Sequence, residues 1–171
     1  MKWLKKILIV VGWLLGAFII FAIVYKAIYS MDKAEAFEVN SPELETRLLI
    51  ATQGSSFKDA LVAHLVDSIR QEPVYIEVRD IEVLESVRFS DWQAILVIHT
   101  WEYSKPPELI REFADRAGQQ KNILFFTTSG DGGFSMNNID AISGASSQKK
   151  MDTYVNSILS RLRPMLMDRT Y

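Results

Sequence analysis

The chain is 171 residues long, 49% hydrophobic and 23% charged, with no cysteine and two histidines, His64 and His99. That inventory excludes disulfide frameworks, thiolate metal sites, iron–sulfur clusters and cysteine nucleophiles, and leaves little for a histidine-based metal site. With 19 basic and 21 acidic side chains in near balance, nucleic acid is not an expected partner.

Residues 7–25 carry no charge and are bracketed by Lys5 and Lys6 before and Lys26 after. At 1.5 Å per residue such a helix spans the ~30 Å hydrocarbon core of a bilayer. The competing reading is a cleaved signal peptide. Its apolar run would normally be ~7–15 residues followed by small residues, whereas bulky Val24, Tyr25 and Ile28 fill the cleavage zone here. A retained single-pass anchor is therefore expected over residues 1–30, with a short cytoplasmic stub. Lys2, Lys5 and Lys6 precede the apolar run and Lys26 follows it, so positive-inside reasoning puts the remaining chain outside the cytoplasm. That remainder holds all 21 acids and 15 of the bases, which makes it an acidic domain at the membrane.

Residues 31–45 are polar and without sustained period, which suits a tether. Four apolar runs follow, at 48–52, 74–78, 94–100 and 123–128. Three of the four are nearly continuous in apolar character, as strands covered on both faces should be. Helical spacing separates them: Phe57, Leu61, Leu65 and Ile69 in one segment, then Leu109, Ile110, Phe113 and Ala117 behind Pro106 and Pro107. A last stripe of Met151, Tyr154, Val155, Ile158, Leu159 and Leu162 closes the chain. The alternation predicts an α/β fold over residues 46–168, a small doubly wound parallel sheet of four to five strands. Ligands of such sheets bind at the carboxyl ends of the strands.

Three loops at those ends carry the chemistry. After the first strand, Gln53, Gly54, Ser55 and Ser56 lead into a helix. Such a turn either cradles a phosphate or simply caps the helix with a serine. After the third, Trp101 and Tyr103 either stack on a flat conjugated ligand or pack over the sheet end. After the fourth, Thr128, Ser129 and Gly130 are small enough for close backbone approach, while Asp131-Gly132-Gly133 suits a plain turn. His64 falls on a helix flank and reads as a surface residue; His99 lies at the sheet end near Trp101. Asp80 to Leu84 reads as a structural link.

Together these loops resemble the flavodoxin-like family. Ala51-Thr52-Gln53-Gly54-Ser55-Ser56 stands where that family has Thr/Ser-x-Thr-Gly-Asn-Thr, sharing the glycine and a final hydroxyl. Thr100-Trp101 with Pro107 resembles the aromatic loop, and Thr128-Ser129-Gly130 the third. The resemblance implies flavin mononucleotide, with its phosphate at residues 53–56 and its ring near Trp101 or Tyr103.

A further segment, Asp140-Ala141-Ile142-Ser143-Gly144-Ala145-Ser146, resembles the flavinylation motif Asp-x-x-Ser/Thr-Gly-Ala-Thr/Ser of subunits that carry covalent FMN outside the membrane. That resemblance implies attachment at Ser146. The alternative is a short fifth strand followed by a serine helix cap. The expected function is a membrane-tethered FMN protein in electron transfer, with a membrane-bound redox partner. A flavin-free interaction module on the same fold is the alternative. Nothing in the sequence forms a nucleophile–base pair or a carboxylate dyad.

Overall fold

A computed structural model describes residues 2–29, 32–102, 105–130, 132–133 and 140–167. The chain divides into two units, residues 1–31 and 32–171. The first contains helix α1 (Lys2–Tyr29). Its stretch Trp3–Tyr25 has mean hydropathy 3.0, long and apolar enough to cross a bilayer, a description that a signal sequence also meets.

The second unit opens with two short strands, β1 (Asp32–Lys33) and β2 (Phe37–Val39). Strand β3 (Arg47–Gly54), helix α2 (Ser56–Ile69) and strand β4 (Tyr75–Asp80) follow. Two 3-10 turns, Ile81–Glu85 and Phe89–Asp91, lead to β5 (Ala94–Thr100) and α3 (Glu108–Ala117). The unit ends with β6 (Ile123–Ser129), β7 (Ala141–Ala145) and α4 (Met151–Met167).

The four apolar runs all become strands, joined by a fifth, β7, which the sequence offers as one of two readings of that segment. The sheet order is β2-β4-β3-β5-β6-β7, with β3 to β7 mutually parallel where they pair. Counting only the five parallel strands, the order is 2-1-3-4-5, the flavodoxin-like doubly wound arrangement, whose chain order reverses between β3 and β5. The fold is thus the one expected.

Residues 31–45 do more than link. Phe37 to Val39 pair antiparallel with β4, and Asp32 and Lys33 pair antiparallel with the last two residues of β3. These pairings stretch β3 two residues beyond its apolar run, through Gln53 and Gly54.

Side chains alternate across the sheet as strand geometry requires. Leu48, Ile50, Leu96, Ile98, Leu124 and Phe126 face α2 and α4 with Leu61, Leu65, Ile158 and Leu162. Leu49, Ala51, Ile95, Val97 and Phe125 face α3 and the 3-10 turn with Ile110, Phe113 and Leu84. Asp80 reads as structural here too: it caps the first 3-10 turn by accepting from the Glu82 N–H (3.1 Å) and also accepts from the Ala34 N–H (2.9 Å).

Candidate functional site

The alternation that builds the core turns polar at the carboxyl ends of the strands. His99 and Thr127 continue the α3-facing rows of β5 and β6 and stand opposite each other in register; Ser143 of β7 is next to Thr127. Thr100 and Thr128, one residue on, face the other side, and their hydroxyls lie 2.8 Å apart. His99, Thr127, Thr128 and Ser129 are all buried. His99 is fully shielded; its ring nitrogens meet no partner at full hydrogen-bond geometry, only a looser contact with the Thr100 backbone, and the Thr127 hydroxyl is without a partner. Leaving a buried polar group unmatched costs about 1–3 kcal/mol. Burial pulls the His99 pKa down to about 4; the Thr100 backbone opposes the shift and the Lys58 charge adds to it. His99 is therefore a neutral imidazole at physiological pH, with one N–H to donate and one lone pair to accept.

Lys58 joins this end from the first turn of α2. It is 1% exposed, and burial lowers its pKa to about 8 against the opposing charges of Asp59 and Glu102. Its burial follows from the helical period, since 57, 58, 61, 62, 65, 66 and 69 share the inward face. A lysine inside that pattern was a visible sign of a buried charge, and the sequence reading passed over it. Thr127 gave no such sign, because a threonine ending a strand is ordinary.

The first loop is short and tightly held. Gln53 and Gly54 belong to β3, and one residue, Ser55, separates that strand from α2. The Gln53 amide oxygen accepts from the Thr100 N–H (2.8 Å) while its nitrogen donates to Glu102 (3.3 Å). Ser55 is the helix cap, its hydroxyl accepting from the Lys58 N–H at 3.3 Å. Ser56 is exposed on the first helical turn. Gly54 lies under β1: a Cβ there would stand 2.6 Å from the Lys33 carbonyl oxygen and 2.7 Å from that of Asp32. The glycine admits the close approach of β1, which pairs antiparallel with the end of β3. Lys33 ties that strand further by its ion pair with Glu82 (2.7 Å).

A flavin mononucleotide phosphate does not fit residues 53–56. Backbone oxygens, which repel an anion, cover Gly54, and the Gln53 amide is engaged at both its oxygen and its nitrogen; of the loop's side chains the Ser55 and Ser56 hydroxyls keep an O–H to donate. The other two loops are more open. Trp101 is half-buried beyond β5, with its N–H donating to the Thr128 carbonyl at 2.8 Å, through the backbone. Glu102 and Lys105 form a short antiparallel bridge. Tyr103 lies outside the described residues, as do Asp131 and Ile139. Ser129 accepts from the Gly132 N–H (2.9 Å), and Gly130 is exposed. Gly132, at φ +77°, leans on the backbone of Gly144 and Ala145.

The segment 140–146 is strand and exit. Asp140, just before β7, is ion-paired with Arg161 of α4. Gly144 receives the Tyr154 ring, whose hydroxyl accepts from the Ala145 N–H at 3.1 Å. Ser146 is exposed beyond β7, and Ser147 precedes a 3-10 turn, Gln148–Lys150, that leads into α4. His64 is exposed on α2. Among the described residues no group of acidic or histidine side chains is arranged to hold a metal.

No protein-family model and no curated protein sequence matches the chain. Three solved structures similar to it have flavodoxin or oxidoreductase names. A flavodoxin from the domain Archaea is 14% identical, with a TM-score of 0.48, over 70% of this chain and 99% of that one. A short-chain flavodoxin associated with a bacterial microcompartment is 11% identical, TM-score 0.48, over 71% and 98%. Rubredoxin oxygen:oxidoreductase from Desulfovibrio gigas is 12% identical, TM-score 0.44, over 72% of this chain and 37% of that one. The strand order alone defines this chain as flavodoxin-like.

Proposed function

We propose that this chain is a membrane-tethered, flavodoxin-like redox protein that holds a flavin ring at the carboxyl end of its sheet. The ring lies between the loops after β5 and β6, near Trp101 and Ser129–Gly130, and not over residues 53–56. The observation that carries this reading is the pair of buried, unmatched polar groups, His99 and Thr127, beside those loops. A purely structural sheet end gains nothing from leaving them unmatched; a bound ring with donors and acceptors on its edge satisfies them. A bound flavin supplies electron transfer, and the protein supplies orientation and access. The lysines before the apolar run support a domain outside the cytoplasm, and its partner in electron transfer is then a membrane-bound redox protein.

Attachment through Ser146 fits this arrangement. An exposed hydroxyl beyond β7 is accessible to a modifying enzyme, and a phosphate esterified there needs no cradle in the first loop. In-gel flavin fluorescence of the full-length protein from its own membranes, after denaturing electrophoresis, tests the attachment. A fluorescent band that disappears on Ser146→Ala is expected. A band that persists in the variant contradicts the assignment of Ser146, and a dark wild-type band contradicts covalent attachment altogether.

A second reading is a flavin-free interaction module. It is favoured by the β1 crossing over Gly54 and by Gln53 joining the ends of β3 and β5.

A further inference from the structure

The turn that follows β7 presents one exposed hydroxyl, and two cations come directly after it in the chain. We infer that Lys149 and Lys150 are positioning residues for attachment at Ser146, holding the phosphate of the flavin nucleotide that is joined there. This rests on the attachment reading above and deepens it, by naming the side chains that meet the charge.

Three serines lie within five residues, and of these only Ser146 is exposed. Ser143 is half-buried within β7, beside Thr127. Ser147 is half-buried too, its N–H donating to the Ala145 carbonyl (2.7 Å) and its carbonyl accepting from the Lys150 N–H (3.0 Å). The first of these bonds closes a three-residue turn with Ser146 at its centre. On the near side the Ala145 N–H donates to the Tyr154 hydroxyl (3.1 Å). Ser146 is thus the apex of a turn held at both feet.

The exit from that turn is Gln148–Lys150, where Lys149 and Lys150 are exposed. No ion pair among the described residues involves either lysine. Asp140, the acid that precedes them, is paired with Arg161, and Asp152 follows in the first turn of α4. Beyond residue 30 the chain has 21 acids against 15 bases. Two cations three and four residues past the exposed serine are therefore a local exception, suited to an anion. The attachment itself balances without a redox step. The Ser146 Oγ bonds to the flavin-side phosphorus of a pyrophosphate-linked flavin dinucleotide as the pyrophosphate P–O bond breaks. The hydroxyl proton passes to solvent and a nucleoside monophosphate leaves. Donor and product are both anionic at that phosphorus, so the lysines favour the donor's approach and the diester that remains.

The test follows the initial rate at which a fluorescent band appears on denaturing gels after expression of the full-length protein is induced in its own membranes. The double variant Lys149→Glu, Lys150→Glu should be labelled on the order of tenfold more slowly than wild type. The double variant Lys149→Arg, Lys150→Arg keeps both charges and should be labelled at the wild-type rate. Both side chains are exposed, so denaturant midpoints of the three proteins should coincide, which separates labelling from folding. Equal rates in wild type and the glutamate variant overturn the inference and leave attachment at Ser146 standing. An arginine variant as slow as the glutamate variant overturns it as well, since charge is then not what the lysines supply. A dark wild-type band, or a band that survives Ser146→Ala, overturns the attachment reading and the inference with it.

Discussion

Acidification from pH 6.5 to pH 4 should cost the folded protein on the order of 3 kcal/mol through His99 alone. The imidazole's folded pKa is about 4, against an ordinary 6.5. Between those values the unfolded chain binds a proton that the folded chain refuses. The unfolded state therefore binds more protons, and stability rises with pH across this window. Above 6.5 both states are neutral and the effect vanishes. His99→Gln keeps a neutral hydrogen-bonding side chain and removes the titration. Denaturant midpoints of wild type and variant should coincide in shape above pH 6.5 and diverge below it, with the wild type losing more. Carboxylates titrate in both proteins and cancel in the comparison. Parallel pH profiles would mean that His99 is accessible to protons in the folded state, and would remove it from the buried pair on which the functional reading depends.

The second large effect lies at Gly144. A Cβ there would stand 2.6 Å from two ring carbons and the hydroxyl oxygen of Tyr154. That ring has little room to yield: it packs edge-on against Phe126 at 5.2 Å and against Phe57 at 6.2 Å, inside the α2–α4 core. Gly144→Val must push it off both neighbours and off the Ala145 N–H. Overpacking costs about 1–3 kcal/mol and a lost hydrogen bond about 1 kcal/mol more. A destabilisation of about 2–4 kcal/mol is expected in chemical denaturation, with Tyr154→Phe losing about 1 kcal/mol. A neutral Gly144→Val would show that Tyr154 is not seated on β7. The same glycine is part of the Ser-Gly-Ala-Ser segment that resembles a flavinylation motif. Its packing role explains the glycine without reference to any cofactor, so the attachment question falls on the exposed Ser146.

Most of the sheet was readable from the sequence, because each parallel strand is an apolar run covered on both faces and each helix carries its own period. The fifth strand was readable only as an alternative, since Ala141–Ala145 has a mixed composition at a sheet edge. Strands β1 and β2 were not readable. They are two and three residues long, and they exist through pairing with β3 and β4 rather than through any local pattern. That omission mattered for the site: β1 converts Gly54 from the opening of a loop into the crossing point of a strand. Ser55 as a helix cap is one of the two readings that the loop's sequence offers, and its spacing to Lys58 is local enough to be seen. The matching of His99 with Thr127 was not, because it depends on the register of two strands brought together across an intervening helix.

The most direct measurement of the central claim is the visible absorbance spectrum of the full-length protein purified in detergent without denaturation. Flavin bands in near-stoichiometric amount, falling in His99→Gln and Thr127→Val once Ser146→Ala has removed the attachment, are the expected result. A protein that carries no flavin, and takes up neither riboflavin nor FMN when they are added, would contradict the account and favour the flavin-free interaction module.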